Sequence, residues 1–113
     1  MLTAVHRMRK SEDFSTTVRH GSKAGRMNLV VHVLPDAARL GDSEVGFVVS
    51  RAVGSAVVRN RVKRQLRHLM RLHVDRLPAG CRVVVRALPS ASEAPTATLD
   101  AELEAALQRA GAW

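Results

Sequence analysis

Cysteine occurs once, as Cys81, tyrosine is absent, and the aromatic rings amount to two Phe and one Trp. A lone thiol excludes an internal disulfide and a thiolate-rich metal site. Cys81 is expected to be a small buried residue opening a strand. No apolar run approaches the roughly 18 residues that a membrane span needs. The start, Met1-Leu2-Thr3-Ala4-Val5, turns polar and basic at once and lacks the hydrophobic stretch of a secretory signal, which places the protein in the cytoplasm. Acidic residues are scarce as well. Glu12, Asp13, Asp36, Asp42, Glu44, Asp75 and a C-terminal group are scattered along the chain. They form no dense carboxylate cluster of the kind that holds two catalytic metals, so neither a metal site nor a catalytic group is expected in the protein itself.

Eighteen Lys and Arg stand against ten Asp and Glu, a net charge of +8. That balance calls for a polyanionic partner, nucleic acid or an acidic membrane surface. Fifteen of the cations are Arg, whose planar fork of donors suits phosphate and can stack on bases. The charge is unevenly spread: residues 1–89 carry a net +11, and residues 90–113 a net −3. Hydrophobic residues make up 46% of the 113, enough for a single domain, 1–113, around one modest core.

Ser11-Glu12-Asp13 reads as a cap followed by acids in a first turn, with Gly21 as the stop, which predicts a helix over 11–20. Residues 22–26 are a short strand or a turn. Strands are expected at Met27–Leu34, Glu44–Ser50 and Cys81–Leu88, where β-branched residues cluster between turn signals. Ser55 caps a long helix running from Ala56 to about Val74. Pro89 to Pro95 is rich in Pro, Ser and Ala, making 90–97 an internal linker to an acidic helix over Thr98–Ala110, with Leu99, Leu103 and Leu107 four apart. The order is αββαβα, or αβββαβα if residues 22–26 pair. It suggests an α+β fold, a two-layer α/β sandwich with a small mixed sheet. The strand–helix–strand unit over 44–88 would by default cross over right-handed.

The central helix carries the functional signal. At about 100° per residue, Val58, Val62, Leu66, Leu69 and His73 share an arc of roughly 80° and should face the sheet. Arg59, Asn60, Lys63, Arg64, Arg67 and Arg71 fan across the other side, with Arg61 and His68 beyond them. From Val45 to Val74 there is no Asp or Glu. An ordinary solvated face would mix signs, because like charges at i, i+4 cost a few tenths of a kcal/mol per pair. Arg59/Lys63, Lys63/Arg67 and Arg67/Arg71 all repel, so an external anion is expected to neutralise them, and nucleic acid is the polyanion that fits. A membrane surface fits less well, since the opposite face is needed for the core and bears no Trp or Phe.

Gly46-Phe47-Val48-Val49-Ser50-Arg51 followed by the run from Val53 to Arg67 resembles the signature of the bacterial ribonuclease P protein family. The pattern Arg-Asn-x-x-Lys-Arg-x-x-Arg is present as Arg59, Asn60, Lys63, Arg64 and Arg67. Arg7-Met8-Arg9-Lys10-Ser11-Glu12-Asp13-Phe14 and Val83-Val84-Val85-Arg86-Ala87 are similar too, so the likeness spans about residues 6–109. It implies αβββαβα with a left-handed βαβ crossover. It also implies a protein that binds the catalytic RNA of an endoribonuclease, one protein per RNA, and helps remove the 5′ leader of precursor tRNA. Mg²⁺ would be bound chiefly by the RNA, which would carry the hydrolysis. The RNA contacts would come from Arg51, Arg59, Asn60, Arg61, Lys63, Arg64, Arg67 and Arg71. A cleft between the first helix and the sheet, with Phe14 and His32, would hold the leader. Physically Phe14 is either a stacking ring or a core anchor, and His32 either a base partner or a packed strand histidine. Val18 and His32 stand where the family often has rings, and His68 where it often has Glu.

Two other readings compete. A metal-independent ribonuclease would need two histidines for acid–base cleavage, but His6, His20, His32, His68 and His73 show no diagnostic spacing. A ribosomal or RNA-chaperone protein would bind RNA without accelerating tRNA processing.

Overall fold

The computed structural model describes residues 6–36, 38–39 and 41–113. The extreme N-terminus, read above for the absence of a secretory signal, lies outside them. The elements are α1 (Ser11–His20), β1 (Ser22–Gly25), β2 (Leu29–Leu34), β3 (Glu44–Val48), α2 (Ala56–Arg71), β4 (Arg82–Ala87) and α3 (Thr96–Arg109). Short 3-10 turns occupy Arg51–Val53, Val74–Arg76 and Pro89–Glu93. Residues 22–25 do pair, so the order is αβββαβα.

The strands lie in the order β1-β2-β4-β3. β1–β2 and β2–β4 are antiparallel, and β3–β4 is parallel, so α2 bridges two neighbouring parallel strands. Side chains alternate between the two faces. One face presents Leu29, Val31 and Val33 of β2, Val83 and Val85 of β4 and Val45 of β3 to the core. Val62, Leu66, Leu69 and Met70 of α2 and Leu99, Leu103, Ala106 and Leu107 of α3 close that core. The other face carries Glu44, Gly46, Arg82, Val84 and His32. Here α1 adds a partial third layer to the two-layer sandwich of sheet plus α2 and α3: Phe14 seats on Gly46, and Asp13 pairs with Arg82 at 3.3 Å.

Among the helices, one cap and two boundaries differ from expectation, each for a local reason. Ser11 is the first helical residue of α1 and Lys10 the cap position, without a side-chain cap bond; the acids Glu12 and Asp13 and the bases Arg19 and His20 complement the helix dipole instead. α2 ends at Arg71, because His73 (φ −115°) begins the Val74–Arg76 turn. The expected linker at 90–97 is mostly structured: Pro89–Glu93 forms a 3-10 turn, and α3 starts two residues before the expected Thr98. Ser55 caps α2 as expected, its Oγ accepting from the Val58 amide at 3.3 Å.

The acids of α3 are docking groups. Glu102 accepts from the Asn28 amide at 2.9 Å, Asp100 lies 3.2 Å from His73, and Glu104 lies 3.0 Å from Arg76. The guanidinium of Arg76 also lies over the Trp113 ring, 3.9 Å from its centre. Three of the four acids of residues 90–113 thus contact groups within the fold.

Candidate nucleic-acid interface

Arg7 and Met8 run beside the free edge of β3. Arg7 bridges to Val45 in parallel fashion, and the Met8 amide donates to the Val45 carbonyl at 2.9 Å. Met8 is buried while Arg7 and Arg9 are exposed, the alternation an edge segment requires. Both arginines therefore project beside α2, whose Lys63 and Arg67 come from the other side. Together with Phe14 they line an open cleft of about 320 Å³ floored by Val45, Gly46 and Phe47. No carboxylate lines it.

Gly46 makes this geometry possible. A Cβ built there would collide with Cε1 and Cζ of Phe14. The Phe14 ring therefore rests directly on strand backbone, half-buried, anchoring α1 while still facing the cleft. The core-anchor reading is met by the side of the ring that rests on Gly46, while the other side lines the cleft.

Electrostatically the cleft is strained in one direction. Burial and the neighbouring charge of Arg7 both lower the Arg67 pKa from its ordinary value. Two guanidiniums held together by the fold favour an anion between them. An adjoining depression of about 480 Å³ shares Arg7 and Arg9 but reaches Asp13 and Glu44. Those acids are engaged: Glu44 contacts Arg39 at 3.2 Å and Arg82 at 3.6 Å, and Asp13 contacts Arg82. Among the described residues no group of three or more His, Cys, Asp or Glu could hold a metal ion, and these arginine-paired carboxylates do not fit a Mg²⁺ site.

The residues singled out in the sequence are divided by the fold. Lys63 and Arg67 enter the cleft. Arg59 is half-buried, with its Nε enclosed and unpartnered among the described residues. Asn60, Arg64 and Arg71 are exposed along α2, and Arg51 is exposed in the turn before it. Arg61 turns the other way and donates to the Ser92 carbonyl at 2.7 Å. His32 lies in β2 between Lys23 and Val84. It is 2% exposed, with both ring nitrogens unpartnered among the described residues. It presents no free ring face and does not join Phe14, two strands away across the sheet. Burial first, then Arg86 and Lys23, lower its pKa below the usual value. Arg7, Arg9 and Gly46 carried no individual role in the sequence reading. The Arg7-Met8-Arg9 alternation was the available signal for the first two.

A protein-family model described as Ribonuclease P matches residues 2–111. The chain is 53% identical to the ribonuclease P protein component of a Nocardioides species over 115 residues, 99% of this chain and 97% of that one. It is 55% identical to the ribonuclease P protein component of Streptomyces avermitilis, over 96% and 94% of the two chains. Among solved structures, the RNase P protein of Staphylococcus aureus superposes with a TM-score of 0.82 at 27% identity, covering 95% of this chain and 96% of that one. The RNase P protein of Thermotoga maritima superposes with a TM-score of 0.76 at 28% identity, over 91% and 96%.

Proposed function

The chain belongs to the ribonuclease P family, and from that premise we propose that it is the protein subunit of the bacterial enzyme, binding its catalytic RNA and the 5′ leader of precursor tRNA. The observation that carries this reading is the cleft in which Arg7, Arg9, Lys63 and Arg67 surround the exposed side of Phe14 without a carboxylate. Four cations neutralise consecutive phosphates, and the ring stacks on an unpaired base without reading its identity, for about 1–3 kcal/mol per base. The exposed cations of α2 outside the cleft, Arg64 and Arg71 with Arg51, hold the RNA subunit. One protein serves one RNA, in the cytoplasm.

The protein's contribution is binding and orientation. Mg²⁺ is held chiefly by the RNA, which carries the hydrolysis, and no protein group is assigned a catalytic step. Fixing the leader places the scissile phosphate where the RNA can act on it, which turns binding energy into rate.

Reconstitution tests the proposal: cleavage of a precursor tRNA by bacterial ribonuclease P RNA at low Mg²⁺, with and without the protein. Strong stimulation that yields the correct mature 5′ end is the expected result. RNA binding without stimulation would replace it with a chaperone or ribosomal role. Cleavage by the protein alone in EDTA would instead support a histidine-based nuclease.

A further inference from the structure

The cations of α2 leave the helix on two flanks, and only one of them faces the cleft. Taking 100° per residue, Lys63 and Arg67 are centred about 130° around the axis from the group Arg61, Arg64, Gln65 and His68. This second group faces Thr96 at the start of α3. Together they enclose a groove of about 420 Å³ with no carboxylate in its lining. Its chemistry differs from that of the cleft: the walls are mostly the carbon stems of these side chains.

Two of those walls are fixed. Arg61 is held by its bond to the Ser92 carbonyl at 2.7 Å, and the Gln65 amide by a bond to Thr96 Oγ1 at 3.2 Å. Immobilised planar groups have already lost the rotamer freedom that a ligand would otherwise have to remove. Arg64 and His68, one turn apart at the rim, are exposed and form no ion pair among the described residues. The groove therefore combines a carbon-walled slot, a fixed guanidinium plane and a rim where the unneutralised Arg64 stands beside the His68 imidazole.

We propose that the groove between α2 and α3 is a second RNA site that takes one unpaired nucleotide, its base against Arg61 and Gln65 and its phosphate at Arg64 and His68. The proposal rests on the reading of this chain as a ribonuclease P subunit. Unpaired nucleotides suit such a slot, because their bases can leave the stack and lie on a guanidinium plane. A paired helix would offer phosphates, 2′-hydroxyls and base edges but no unstacked base face, and so would not need a carbon-walled groove. Since the two sites lie on different flanks of α2, one straight strand cannot fill both. Two separate RNA segments then straddle the helix.

The test fills the groove without removing charge. Thr96→Trp places an indole where the base would lie, and Gln108→Trp adds the same ring at an exposed position of α3 three turns away. Full-length variants are titrated against bacterial ribonuclease P RNA, and the reactivity of its unpaired nucleotides toward a base-modifying reagent is mapped. Thr96→Trp is expected to weaken binding about 5- to 150-fold, the range of one stacked base, and to expose one nucleotide that wild type protects. Gln108→Trp should match wild type. Arg64→Ala with His68→Ala should expose the same nucleotide, and this pair decides the matter if Thr96→Trp proves unstable on melting. Arg7→Ala with Arg9→Ala should expose a different segment. Tight wild-type binding with an unchanged reactivity map in both groove variants would overturn the groove site alone. Failure of the wild-type protein to bind the RNA would overturn the subunit reading and the groove with it.

Discussion

At the scale of single residues, charge and burial make distinct demands. Arg7 and Arg67 crowd each other in the cleft, and the Arg67 pKa is lowered by burial and by Arg7. If each meets one phosphate, Arg7→Ala and Arg67→Ala should each flatten the log-log salt dependence of RNA binding by about 0.7–0.9; titrations at several salt concentrations read this directly. His32 behaves differently. Its folded pKa lies below the ordinary value of about 6.5, owing to burial, Arg86 and Lys23. Below that ordinary value the unfolded chain takes up a proton that the folded chain resists, so stability falls as pH falls from the unfolded toward the folded pKa. His32→Val should reduce this acid sensitivity, seen as a smaller loss in urea midpoint between about pH 7.5 and about pH 5.5. An equal loss in both proteins would place the acid sensitivity elsewhere.

Elements are held by a few local devices. Ser55 supplies one bond to the exposed start of α2, and Ser55→Ala should cost about 1 kcal/mol in chemical denaturation. The seat of α1 is tighter. Gly46→Ala would drive a methyl into the Phe14 ring, an overpacking worth about 1–3 kcal/mol. Phe14→Ala empties the same contact from the other side. Its functional effect should be a higher KM for precursor tRNA than wild type shows, with a smaller change for a leaderless substrate. Equal changes on the two substrates would reduce Phe14 to an anchor. α3 is bound by both its leucines and its carboxylates. Leu103 is fully buried, so Leu103→Ala should cost about 2–5 kcal/mol.

For the whole molecule, sign separation is the organising feature. The basic body keeps its cations free where α2, the 7–9 segment and the turn at Arg51 meet solvent. Four of the acids pair within the fold: Asp13 and Glu44 with Arg82, Asp100 with His73, Glu104 with Arg76. A hydrogen bond from Arg76 holds Glu104 below the usual carboxylate range. The sheet divides the labour, with the apolar core under α2 and α3 on one face and α1 on the other. Its β3 edge, lined by residues 7–8, becomes the floor of the cleft instead of a free pairing edge.

Much of this was legible in the linear chain, because period and punctuation are local. The span of α1, the cap at Ser55, the three main strands and the apolar stripe Val62, Leu66, Leu69 follow from spacing alone, and so does the acid-free basic run of α2. Cys81 is buried at the entrance to β4, as its lone occurrence suggested, and burial raises its pKa. What spacing could not decide was which cations share a site. Arg7 and Arg67 are sixty residues apart and meet because residues 7–8 pair with β3. Arg61 and Arg64 sit within the same run yet turn toward α3. His32 shows the limit most plainly: a strand position says that a side chain points to one face, and the chain packed on that face decides whether it meets water, a base or a helix.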